Sequence, residues 1–322
     1  MRIFLTGATG FIGSKLCGYL LKNHHQILAP VRNLNSALLL KHHNLELIKI
    51  EDSDINKNYS KFLTNVDVVI HCAAKAHIMN ESNINNEILN LYRKVNVDQT
   101  LNLAKQAASH KVKRFIFLSS VKVNGEYTLP SESFKYDDIP KPADSYAISK
   151  FEAEKALKQL SNYTSIETVI IRAPLVYGEE VKGNFLRLLD LCNKELPLPF
   201  GSINNIRSMV NVENLIDLIL CCLENPKAGG QVFLISDDQN ISTIELIKKI
   251  KKFMNKPAKL IPMPLFIFKL FGRLMGKSST IDRLLGSLTI DISHTREVLK
   301  WKPIFSLDDG IKKTVSWYLK NL

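Results

Sequence analysis

A chain of 322 residues, 45% hydrophobic and 23% charged, can bury a sizeable core, which excludes a disordered or low-complexity polymer. Lysine and arginine (43) outnumber aspartate and glutamate (31), and the net charge of +12 attracts anions; without basic blocks interleaved with aromatics, small phosphate-bearing metabolites are expected rather than nucleic acid. The five cysteines are odd in number and lack paired metal spacing, so reduced core thiols, a cytoplasmic location and no metal site are expected.

The chain runs directly into a strand, Arg2 to Leu5, without the pattern of a signal peptide. The stretch GATGFIG follows, with Gly7, Gly10 and Gly13 between this strand and a helix over Ile12 to Lys22 that opens near Phe11. Gly7 permits a tight turn, Gly10 leaves room for a pyrophosphate, and Gly13 lets helix and strand pack closely, while the helix N-terminus offers unpaired N–H groups to phosphate. This is the corner of a dinucleotide site. The second strand, Ile27 to Val31, ends at Arg32, where a carboxylate would take the ribose hydroxyls of NAD. A cation there pairs with the extra phosphate of NADP or stacks on adenine, so the cofactor is NADP(H) or NAD(H), leaning to NADP.

Strands at Leu45 to Ile50, Val66 to His71 and Arg114 to Ser119 follow, with one long helical pattern from Glu87 to Ala108 between the last two. Continuous apolar strands alternating with helices predict an α/β fold, a doubly wound parallel sheet of Rossmann type with helices on both faces. Ser120 closes the strand FIFLSS, and YAISK puts Tyr146 and Lys150 four residues apart on one face of a helix over Ala147 to Leu160. An ammonium beside a phenol favours phenolate, so this pair can exchange a proton that tyrosine alone, with a pKa of about 10, holds too tightly. A strand at Ile166 to Arg172 completes the nucleotide-binding unit, residues 1–175. A smaller substrate-binding domain is expected over 176–322, with segments at about 208–240 returning to the first unit. It carries helices at Asn184 to Cys192, Glu213 to Leu223, Ser242 to Phe253, Leu265 to Leu274 and His294 to Leu299, and strands at Arg207 to Val210 and Val232 to Ile235. The apolar, basic segment Ile261 to Lys277 is too interrupted to span a bilayer; a helix packed on the protein is preferred to one lying on a membrane.

These stretches resemble the extended short-chain dehydrogenase/reductase family, in its NAD-dependent epimerase/dehydratase branch, over nearly the whole chain. GATGFIG is similar to the family's phosphate corner, VIHCAAKAH to its fourth-strand cofactor loop, SSVKVNG to its catalytic serine strand, YAISK to its Tyr/Lys pair and RAPLVYG to its segment beside the nicotinamide. The resemblance implies that Ser120 and Tyr146 contact the substrate oxygen, that Tyr146 exchanges the proton, and that Lys150 also holds the nicotinamide ribose. It implies cofactor contacts from Phe11, Ile12, Ala73, Ala74, Lys75 and Pro174, a scaffold role beside the cofactor for Asn96, and a homodimer. It also implies a UDP-sugar substrate. Asn184 would cap its helix while touching substrate phosphate, Arg207 would hold the diphosphate, and Arg283 would add a second contact. Lys122 and Asn124 would line the substrate cleft. Asn124 stands near where epimerising relatives carry an aromatic residue, and Val121 and Lys122 replace the acid pair of the dehydratases, which argues against dehydration.

Within that branch the sequence looks closest to UDP-N-acetylquinovosamine dehydrogenases and UDP-sugar 4-epimerases. The leading expectation is a 4-reductase of UDP-4-keto-6-deoxy-N-acetylglucosamine serving surface polysaccharide synthesis, since the NADP reading of Arg32 suits net reduction. The alternative is a UDP-glucose or UDP-N-acetylglucosamine 4-epimerase, and a non-catalytic NADP-sensing scaffold is a third reading.

Overall fold

The computed structural model describes residues 1–34, 42–50, 57–76, 86–274 and 278–322. In chain order the elements begin with β1 (Arg2–Thr6), α1 (Phe11–Lys22), β2 (Gln26–Val31), β3 (Leu45–Lys49), α2 (Ser60–Leu63), β4 (Val68–His71), α3 (Asn86–Arg93), α4 (Gln99–Ser109), β5 (Arg114–Ser120), α5 (Ser145–Tyr163) and β6 (Glu167–Ala173). Then follow β7 (Leu175–Tyr177), α6 (Gly183–Asn193), β8 (Arg207–Asn211), α7 (Val212–Glu224), β9 (Val232–Leu234), β10 (Asn240–Ile241), α8 (Thr243–Phe253), α9 (Leu265–Leu274), α10 (Ser278–Leu285), α11 (Ser293–Leu299) and α12 (Leu307–Lys320).

Seven parallel strands form one sheet in the order β3-β2-β1-β4-β5-β6-β9. Strand residues point alternately to its two faces, and both faces are apolar. Ile3, Leu5, Ile27, Ala29 and Ile70 enter one core with α1 and α7, while Phe4, Leu28, Val69, Phe115 and Phe117 enter another with α4 and α5. Strand order reverses at β1 and β4, opening a crevice at their carboxyl ends, where loops carry whatever the sheet binds. A second, three-stranded sheet, β10-β8-β7, lies with a third core built from α6, α8 and α12. Asp237, just after β9, links β7, β8 and α7, accepting from the Tyr177 hydroxyl at 2.7 Å, the Asn211 backbone N–H at 2.8 Å and the Asn214 amide at 2.7 Å.

The expected single helix from Glu87 to Ala108 is three pieces, because Lys94–Asp98 forms a π-helical turn between α3 and α4. Such a turn inserts a residue without ending the helix and redirects side chains, here turning the buried Asn96 toward the crevice loop. The sequence reading missed α12, whose polar outer face obscures its apolar stripe of Leu307, Ile311, Val315 and Tyr318.

At the glycine corner, Gly7 has φ +76°, a left-handed backbone that glycine accepts without strain. A Cβ on Gly13 would lie 2.1 Å from the Gly7 carbonyl oxygen, so α1 packs on this turn only because Gly13 has no side chain. Gly13→Ala should therefore lower unfolding free energy by about 1–3 kcal/mol or more, read as a reduced thermal midpoint; an unchanged midpoint would show that the turn can yield.

Candidate active site

Three loops meet at the crevice. The first is the glycine corner, where Gly10 is the N-cap of α1 and donates its N–H to the Gly7 carbonyl at 2.9 Å. A Cβ on Gly10 would meet only that carbonyl oxygen, at 3.2 Å, and a longer side chain would fill the space before the helix N-terminus. Phe11 and Ile12 form the half-buried first turn behind it. A side-chain-free cradle at a helix N-terminus fits a dinucleotide pyrophosphate.

The second loop follows β4. Ala73, Ala74 and Lys75 run beside Gly7, whose added Cβ would sit 2.8 Å from the Ala73 nitrogen. Asn96 holds this loop with both ends of its amide: its oxygen accepts from the Lys75 N–H at 2.9 Å, and its nitrogen donates to the Lys75 carbonyl at 3.1 Å and to the Ser149 hydroxyl at 3.0 Å. The cofactor-side loop is thereby tied to α5. Beneath it His71 bridges the Thr6 and Thr100 hydroxyls at 2.8 and 3.0 Å; burial, with Lys150 nearby, pushes its pKa down to about 3, so it serves as a neutral strut.

The third loop leaves β5 at Ser120 and faces the first turns of α5. The Ser120 hydroxyl acts on the Tyr146 phenol, favouring its ionised form, and accepts from the Lys122 N–H at 3.3 Å. Tyr146 packs edge-on against the buried Tyr92 ring, centroids 6.0 Å apart, which fixes the phenol's direction. Lys150 is buried, with its ammonium 3.8 Å from the Phe117 ring centroid; burial lowers its pKa to about 7, partly opposed by Glu154. Tyr146 is pushed up to about 12, first by burial and then by the Asp144 carboxylate, with Ser120 pulling the other way. Among the chain's own groups, burial and Asp144 thus outweigh Ser120 and keep the phenol protonated.

Asp144 was not singled out by sequence. Its carboxylate caps α5 through the Ala147 N–H at 2.7 Å and forms an ion pair with Lys122. The signal was present in DSYA, an aspartate directly before a helical run. Lys122 thus lies beside the reacting pair, with its ammonium on Asp144.

Asn124 departs from expectation. It is buried, its oxygen accepts from Arg172 at 3.0 Å and its nitrogen donates to the Lys135 carbonyl at 2.8 Å, so it braces the loop instead of lining the cleft. Arg172 also pairs with buried Glu154 at 2.7 Å, and Glu154 accepts from Ser119 at 2.5 Å. One ionic cluster thus joins β5, β6 and α5 beside Ser120.

Among the other expected site residues, Arg32 is exposed just beyond β2, and Pro174 is half-buried between β6 and β7. Asn184 is not a cap, because Lys182 holds that position; it is an exposed residue in the first turn of α6. Arg207 begins β8 and donates to the Gly286 carbonyl at 3.0 Å, which brings the end of α10 to the second sheet. Arg283 belongs to α10, and its side chain lies outside those described.

A doubly wound sheet with a glycine-cradled crevice and a Ser/Tyr/Lys cluster at its carboxyl edge defines a dinucleotide-dependent oxidoreductase-type fold. Residues 3–236 match the NAD dependent epimerase/dehydratase family, to which the chain belongs. It is 47% identical over 323 aligned residues, covering 99% of this chain and 95% of the relative, to a Vibrio cholerae protein named UDP-glucose 4-epimerase. It is 27% identical, covering 87% and 83%, to an Escherichia coli O157:H7 protein named N-acetyl-alpha-D-glucosaminyl-diphospho-ditrans,octacis-undecaprenol 4-epimerase. A crystal structure of UDP-glucuronic acid 4-epimerase from Bacillus cereus, in complex with UDP-glucuronic acid and NAD, superposes with TM-score 0.79 at 25% identity over all of both chains.

Two outcomes follow from the electrostatics. Arg172→Met leaves the Glu154 carboxylate buried without its cation and should cost about 3–5 kcal/mol in urea unfolding; a loss under 1 kcal/mol would contradict the cluster's role. Asp144→Asn keeps a capping side chain but removes a charge that opposes phenolate, so the Tyr146 pKa should fall. Ultraviolet titration against Tyr146→Phe reads that pKa, and an unchanged or higher value would refute the assignment.

Proposed function

We propose that this protein is an NAD-dependent 4-epimerase of a UDP-sugar, with UDP-glucose and its C4 epimer as the first pair to test. The single observation that carries the reading is the placement of Ser120, at the end of β5, with Tyr146 and the buried Lys150, on the first turns of α5, in a chain 47% identical to a protein named UDP-glucose 4-epimerase. The three relatives described above carry 4-epimerase names across different sugars and carriers, which favours inversion at C4 over the net reduction read from Arg32.

Bound at the cradle, NAD supplies reversible hydride acceptance at sugar C4 and, when oxidised, a positive ring that favours phenolate. Tyr146 takes the proton from the 4-hydroxyl and later returns one to the same oxygen after the sugar presents its other face. Ser120 donates a hydrogen bond to that oxygen, and Lys150 orients the cofactor ribose while keeping an ammonium near the phenol. Gly7, Gly10, Gly13, Phe11 and Ile12 hold the pyrophosphate, Ala73, Ala74 and Lys75 flank the dinucleotide, and Pro174 closes the nicotinamide side. Arg32 stacks on the adenine face, a role for a guanidinium that requires no additional phosphate. Arg207 and Arg283 meet the UDP diphosphate, with Asn184 at its edge and Lys122 toward the sugar.

Tyr146→Phe should lower turnover by at least ~10²-fold while leaving NAD bound. Purified enzyme given UDP-glucose and no added nicotinamide should form the C4 epimer by NMR without net change in NADH absorbance. Stoichiometric consumption of NADPH with a 4-keto sugar, together with no epimerisation, would instead establish the reductase.

A further inference from the structure

The net positive charge is unevenly placed. Between Glu245 and Asp282 the sequence carries nine lysines and arginines and no aspartate or glutamate, so this stretch holds nine of the twelve excess charges. Some of them are committed within the fold: Lys251 is buried, Lys256 donates to Asn193, and Lys249 pairs with Asp308 at 2.6 Å. Lys252, Lys259, Lys269 and Arg273 are exposed.

The same stretch exposes its apolar side chains. Ile261, Leu265, Phe266 and Leu270 are 52%, 41%, 68% and 53% accessible. On α9, residues 265, 266, 269, 270 and 273 fall within one arc of about 140° at the 100° per residue of an α-helix. Leucine and phenylalanine therefore share that arc with Lys269 and Arg273. The opposite side holds the helix to the protein, where Phe268 is buried and stacks on Phe200 with centroids 6.1 Å apart. Lys259 and Ile261, two residues apart in the extended segment anchored to Leu198, add another cation and another apolar group to the exposed rim.

We infer that the α9 face docks reversibly on an anionic phospholipid bilayer, Leu265, Phe266 and Leu270 entering the headgroup boundary while Lys259, Lys269 and Arg273 meet lipid phosphates. A basic amphipathic helix lying in the interface has this pattern, and lysine or arginine side chains can keep their charges at headgroup level while their stems lie along apolar surface. Charge complementarity selects this occupant. A second copy brought face to face would present the same cations, and a nucleic-acid backbone would leave four exposed apolar side chains opposite phosphate. Among the described residues no helix is long and apolar enough to cross a membrane, so the contact is peripheral. This inference is independent of the sugar the enzyme transforms.

The test is flotation of the full chain with vesicles of mixed phosphatidylglycerol and phosphatidylcholine, beside vesicles of phosphatidylcholine alone. The expected result is binding to the mixed vesicles only, weakened by salt. Phe266→Ser with Leu270→Ser, and separately Lys269→Glu with Arg273→Glu, should each reduce partitioning by roughly tenfold or more, with thermal midpoint and soluble UDP-sugar turnover unchanged. Absence of flotation, equal binding to neutral vesicles, or unchanged partitioning of both folded variants would overturn the inference. So would concentration-dependent dimerisation, or binding to a nucleic-acid duplex, that either double variant abolishes while leaving vesicle binding intact.

Discussion

The buried pair between Arg172 and Glu154 is the interaction on which the reacting corner depends. Glu154 stands four residues after Lys150 on α5, Arg172 lies on β6, and Ser119, bonded to Glu154, precedes Ser120 on β5. A carboxylate this deep is tolerable only with a cation and full hydrogen bonding, and Arg172 supplies both while reaching Asn124 in the next loop. The need to satisfy one charge therefore fixes the relative positions of the strand bearing Ser120 and the helix bearing Tyr146 and Lys150. Asn96 extends the constraint to the crevice loop through Ser149, and that loop rests against Gly7.

Within this frame the protein's own electrostatics keep Tyr146 protonated. Burial and Asp144 oppose its ionisation, Lys122 is paired to Asp144, and the Ser120 hydroxyl favours the phenolate. A base that is silent until a cation lies against it suits chemistry that should begin only after the dinucleotide and sugar are both in place. The buried Lys150, with its pKa near neutrality, makes the local charge responsive to what binds beside it.

Local chemistry was the part most legible in the sequence. Gly7, Gly10 and Gly13 are read from spacing because the turn and helix start are local, and Tyr146 with Lys150 because 3.6 residues per turn determine which side chains share a face. The Rossmann-type sheet was legible for the same reason, since strands buried on both faces are continuously apolar. Roles set by distant partners were not. Asn124 is committed by Arg172, forty-eight residues away, whereas the scaffold role of Asn96 came from the family resemblance, since the π-helical turn that aims it is announced by no periodicity. Asn184 lost its capping role by a shift of the helix boundary, the kind of offset that weakly preferred terminal residues leave open. Arg32 shows a different limit: its charge suited a second phosphate, but one cation at a strand end also suits adenine stacking.

The fold gathers a phosphate cradle, a hydroxyl pair and the buried Lys150 with its neighbours Phe117 and Glu154 at one sheet edge, an arrangement that suits the proposed loss and return of a proton at one sugar oxygen. The most direct test of that account follows deuterium placed at C4 of UDP-glucose through purified enzyme in ordinary water with no added nicotinamide. Retention of deuterium at C4 of the epimer is the predicted result, because the atom removed is the atom returned. Its replacement by solvent hydrogen would contradict the account and point to inversion by proton abstraction at carbon.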